Sequence, residues 1–104
     1  MQINYHIART LFDRLNRDFF AENLPNDYEL DIFTEHDMPV ELGYCVDEED
    51  GAIVLGLVEE FDSYDELTST LKHEMIHMEQ IINNHPVNHG KEFRQRAREI
   101  GASE

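Results

Sequence analysis

His73-Glu74-Met75-Ile76-His77 constrains this chain more than any other stretch, because it reads H-E-x-x-H inside a segment whose apolar residues recur at helical spacing. Residues four apart on a helix lie within roughly 40° of one another and about one turn apart along the axis. The imidazoles of His73 and His77 can therefore reach one metal ion, and zinc is the ion such a pattern holds. Glu74 points about 100° away from His73, which suits a group standing beside a water at the metal rather than a ligand. From there it can take that water's proton.

The flanks fix the ends of this helix. Ser63-Tyr64-Asp65-Glu66 is a capping box, and Leu67, Leu71, Met75, Met78 and Ile82 follow at helical spacing. Asn83-Asn84 ends the run, because His85 precedes Pro86 and that position disfavours helical geometry. Upstream, Ile3, Ile7, Leu11, Phe12, Leu15 and Phe19 form the stripe of an amphipathic helix over residues 3 to 22, closed by Leu24-Pro25-Asn26. Tyr28 to Phe33 alternates apolar and acidic residues as a strand with one wet face does. Leu42 to Val46 and Ala52 to Leu57, joined by Asp47-Glu48-Glu49-Asp50-Gly51, read as a hairpin. Gly90 introduces a last helix from Lys91 to Ile100 with Phe93, Ala97 and Ile100 inward. The expectation is one α+β domain over residues 1 to 104: an N-terminal helix, a small, mainly antiparallel three-stranded sheet, the motif helix and a C-terminal helix.

The length of 104 residues allows one modest core. The net charge of -15 is unevenly spread: Asp18 to Leu71 contains no Lys or Arg and carries 17 of the 23 acidic residues. A surface of that sign repels nucleic-acid phosphates, so direct nucleic-acid binding is not expected, whereas a basic protein partner is. The eight basic residues lie near the two ends and form a small patch if those ends meet in space. Cys45 is the only cysteine, which rules out an internal disulfide and suits a reducing, cytoplasmic setting with the thiol in a core. No signal-like opening and no apolar run of membrane-spanning length occurs.

A catalytic zinc takes three protein ligands and keeps a fourth position for water, so the motif is one ligand short. Glu79, His85, His89 and Glu92 are the candidates downstream. Glu79 lies about 200° round the helix from the metal. The compact H-E-x-x-H-x-x-G-x-x-H pattern is excluded, since Gln80 and Asn83 occupy its Gly and His positions. Between the two histidines, His89 is favoured by its place before Gly90 and the final helix, with His85 the alternative.

Several segments resemble the SprT-like zinc metallopeptidases, the family that includes Spartan: Leu15-Asn16 to Phe20 with Leu24-Pro25, Gly43-Tyr44-Cys45, Leu71 to His77, and His89-Gly90-Lys91-Glu92-Phe93. The resemblance implies a zincin-like fold and peptide-bond hydrolysis in protein or peptide substrates. It implies one catalytic Zn2+ on His73, His77 and His89, with Glu74 as general base and Phe93 as a packing residue that fixes the loop. Many relatives continue into a C-terminal zinc ribbon, and this chain reads as a minimal domain without one. Relatives of the Spartan type cut proteins crosslinked to DNA with DNA as activator, a use the acidic surface does not favour. The competing expectation is an acidic binding or nucleic-acid-mimic protein in which zinc only secures the fold. Tyr44 and Tyr64 are the nearest sources of an electrophilic helper; His6 and His36 have no expected role.

Overall fold

The apolar stripe near the N-terminus forms α1 (Tyr5–Phe19), with the Asn4 side chain accepting from the Ile7 amide at 2.8 Å and Ala8, Leu11, Phe12 and Leu15 turned inward. It stops before the expected residue 22, because Ala21 and Glu22 adopt φ of 53° and 60°. Buried Asn16 closes that turn: its amide donates to the Leu24 carbonyl at 3.0 Å and its oxygen accepts from the Leu24 amide at 3.2 Å. These coordinates are a computed structural model describing residues 1–104, and after α1 come β1 (Glu29–Phe33), β2 (Gly43–Asp47), β3 (Ile53–Val58), α2 (Tyr64–Ile82) and α3 (Lys91–Ile100). The fold is α+β with three helices and one three-stranded sheet.

The sheet corrects one expectation. Its order is β1-β3-β2, with β2 antiparallel to β3 as the hairpin reading requires, but with β1 parallel to β3. The sheet is therefore mixed rather than mainly antiparallel. The cause lies in β3, whose residues from Val54 to Val58 are all buried. A strand apolar on both faces belongs in the middle of a sheet, whereas β1 and β2 carry acids and take the edges.

The motif helix α2 begins as its capping box predicts. Ser63 Oγ accepts from the Glu66 amide at 3.1 Å, while Glu66 reaches the amide of Asp62 at 2.9 Å rather than that of Ser63. It ends at Ile82, where Asn84 turns left-handed at φ 57° and the His85 amide donates to the Gln80 carbonyl. Helix α2 packs on β2 and β3 and is itself flanked by α1 and α3. Phe12, Leu55, Leu57, Phe61, Leu67, Leu71, Met75, Met78 and Phe93 fill the space between, all fully buried. No helix is long and apolar enough to cross a membrane.

Candidate metal centre

His73 and His77 stand one turn apart on α2, and the loop leading into α3 brings His89 over them. The Nε2 atoms of His77 and His89 are 3.0 Å apart and those of His89 and His73 are 3.2 Å apart. These three side chains form a group able to hold a metal ion. Four donors about 2.0–2.1 Å from a tetrahedral zinc would lie about 3.3–3.4 Å from one another, so the observed spacing is within a few tenths of that. His85 is exposed on the same loop and lies outside the group.

The outward nitrogens explain why the inward ones converge. His73 Nδ1 is 2.7 Å from the Ser103 carbonyl, which can only accept, so this nitrogen carries the proton. His77 Nδ1 donates in the same way to Gln80 Oε1 at 2.8 Å. Burial keeps both rings below the usual histidine pKa, against the opposing pull of those two acceptors. Each neutral ring therefore presents an Nε2 lone pair to the shared space, the form in which imidazole binds a metal. Neither partner is a carboxylate, and neither was visible in the sequence. Gln80 does lie three residues past His77, on the same helix face, which is a signal that could have found it.

Ser103 belongs to a strap beyond α3. Gly101 turns left-handed at φ 75°, the Ala102 amide donates to the Ala97 carbonyl, and the Ser103 amide donates to the Ser69 carbonyl. Lys72 anchors the turn by donating to the Ile100 carbonyl at 2.7 Å. Beneath the three imidazoles lies Phe93, whose ring centre is 4.8, 4.7 and 4.9 Å from those of His73, His77 and His89.

Glu74 is only 6% exposed. Burial, then the charge of Glu41, pushes its pKa up to about 8. No protein group hydrogen-bonds its carboxylate, yet the fold contains no sealed, unpartnered side-chain polar atom, so its oxygens keep some contact with solvent. Strand β2 lies directly behind it: a methyl group at Gly43 would sit 3.2 Å from Glu74 Cγ and 3.0 Å from the Gly56 carbonyl. Cys45 is buried on the same face of β2, and burial pushes its thiol up to about 12, which removes it as a nucleophile near neutrality. Neither tyrosine joins the group. Tyr44 projects from the opposite face of β2 and its hydroxyl donates to Asp31 at 2.5 Å, while Tyr64 pairs with Arg14 of α1.

The family model described as SprT-like matches residues 8–104. The chain belongs to the SprT-like family. No curated protein and no solved structure matches it. In this SprT-like chain the matched span runs from the first turns of α1 to the strap that meets His73, so every residue of the centre falls within it.

Proposed function

We propose that the chain is a zincin-like zinc metallopeptidase in which His73, His77 and His89 hold one catalytic Zn2+ and Glu74 is the general base. The observation that carries this reading is the convergence of three imidazole Nε2 atoms beside a buried carboxylate whose oxygens have no protein partner. When bound, zinc supplies Lewis acidity: it draws the pKa of a water towards about 7 and polarises a carbonyl. Glu74 takes the proton from water as its oxygen adds to the scissile carbonyl, then returns it to the amine nitrogen as the C–N bond breaks. A cation held by the histidines favours the ionised form of Glu74 against the burial that opposes it.

Strand β2 supplies a place for the substrate. The Leu42 carbonyl accepts from Val58 of β3 and the Glu48 amide donates to Ala52 just before it, and alternation assigns Tyr44 and Val46 to the same side. The N–H and C=O groups of Gly43, Cys45 and Asp47 therefore point to the free edge, and no other group of the chain bonds them. An extended protein or peptide segment added there lies alongside Glu74, and backbone pairing is indifferent to its sequence. The exposed acids Glu41, Asp47, Glu48, Glu49 and Asp50 at the ends of β2 favour a basic segment.

The test is cleavage of a mixture of basic proteins by zinc-loaded wild type and Glu74→Gln, each with and without single-stranded DNA. Wild type is expected to cleave, and Glu74→Gln to lose about 10²–10⁴-fold in rate while keeping its zinc and its fold. Full activity in Glu74→Gln overturns the mechanism. A second reading, an acidic binding protein with structural zinc, is supported by the stretch without Lys or Arg. It requires that neither protein cleaves and that both bind a basic partner in a salt-sensitive way.

A further inference from the structure

Gln80 joins two parts of the centre that the backbone leaves separate. Its Oε1 accepts from His77 Nδ1 at 2.8 Å, and its Nε2 donates to the Asn88 carbonyl at 3.1 Å. Asn88 immediately precedes His89, and its side-chain oxygen accepts from the Gly90 amide at 2.9 Å. From Pro86 to His89 the chain is exposed, and the bond to Gln80 is the one hydrogen bond its main chain makes. A single half-buried side chain on α2 thus grips a ring of α2 and the loop that carries the third ring.

The geometry points to Gln80 as the positioning residue that assembles the three-histidine set, fixing the tautomer of His77 and holding His89 within reach of it. This inference rests on the zinc reading above. An amide is the group that serves both ends. A carboxylate accepts from His77 but cannot donate to the Asn88 carbonyl, and an alkyl group does neither. The Asn88 carbonyl also decides which way the amide lies, because the flipped form would set its oxygen against that carbonyl and its NH2 against the protonated Nδ1. Without the clamp, the Pro86 to His89 segment has no main-chain tie, and each metal-binding event has to order it.

Three full-length proteins decide the matter: wild type, Gln80→Leu and Gln80→Glu. For each, zinc affinity is measured by competition with a chelator, and the tautomer of His77 is read from long-range 1H–15N spectra of the metal-free protein. Wild type is expected to show His77 in the Nδ1–H form alone. Gln80→Leu is expected to lose about 10–100-fold in zinc affinity, the range for removing the partner of a ligating histidine, and to show mixed tautomers. Gln80→Glu is expected to keep the single tautomer. Zinc bound by Gln80→Leu within about twofold of wild type, against that expected loss, overturns the inference and leaves the proposed function standing. An Nε2–H form of His77 in metal-free wild type overturns it too, whatever the variants do. A wild type that binds no zinc overturns the proposed function itself, and the role of Gln80 with it.

Discussion

Phe93 supports three imidazoles from one position, and that fact ranks the two histidines of the loop. His89 packs against Phe93 with its Nε2 towards His73 and His77, whereas His85 is exposed and stands outside the three-histidine group. Under the zinc reading, His89→Ala is expected to lower bound zinc well below one per chain, and His85→Ala to leave it near one, by metal analysis after dialysis. The opposite ranking would transfer the third ligand to His85. At this scale the sequence was informative where spacing on one helix decides geometry, as for His73, Glu74 and His77. For the third ligand, the place of His89 before Gly90 and the final helix favoured it with His85 as the alternative, and the H-G-x-x-F resemblance pointed the same way. Ser103 was out of reach, because its contact with His73 depends on the turn at Gly101 and spans 30 residues of chain.

Among the elements, β3 shows how a pattern can be read too narrowly. The hairpin with β2 follows from its turn, but the parallel partner follows from a different property, the lack of alternation in Ile53 to Val58. The early end of α1 had no comparable signal: Ala21 and Glu22 are not residues that favour positive φ, and they are held there by the Glu22 amide donating to the Asn16 carbonyl, the Asn23 amide donating to the Phe20 carbonyl, and the Asn16 side-chain bonds to Leu24. Gly56 at the centre of the sheet has a packing role. A Cβ there would lie 2.1 Å from the ring of its cross-strand partner Tyr44, which crosses β3 to reach Asp31 and stacks on Phe33. Gly56→Ala is expected to cost about 1–3 kcal/mol, as overpacking does, measured by denaturant unfolding. Adding Tyr44→Ala should cost less than the sum of the two single changes, since the clash then has no ring to strike. Strict additivity would show that the ring does not need the space.

Across the whole molecule, two basic residues of the C-terminal set reach the end of α1. Arg96 donates to the Phe19 carbonyl at the end of α1 and pairs with Glu79 of α2, while Lys72 caps α3 and lies over the Phe19 ring. Such contacts tie the three helices together, and of the acids between Asp18 and Leu71 only Asp18 has a salt-bridge partner, Arg17. Screening should therefore stabilise the fold: the Debye length falls from about 30 Å at 0.01 M salt to about 10 Å at 0.1 M, and self-repulsion falls with it. Tm is expected to rise over that range with NaCl, by calorimetry, and a fall would mean that the net effect of surface charge is attractive.

The loop and strap that finish the centre also divide the chain's hereditary burden. His73, Glu74, His77, Gln80, Asn88, His89, Phe93 and Ser103 all fall after the acidic stretch ends at Leu71. Before it ends, the surroundings of Glu74 draw on a handful of positions, among them Gly43, Glu41 and Thr70. Descendants of this chain can therefore exchange the exposed charges of that stretch, Glu41 apart, and so change what they meet, while selection on the chemistry acts mainly on the short piece of sequence from His73 to Ser103.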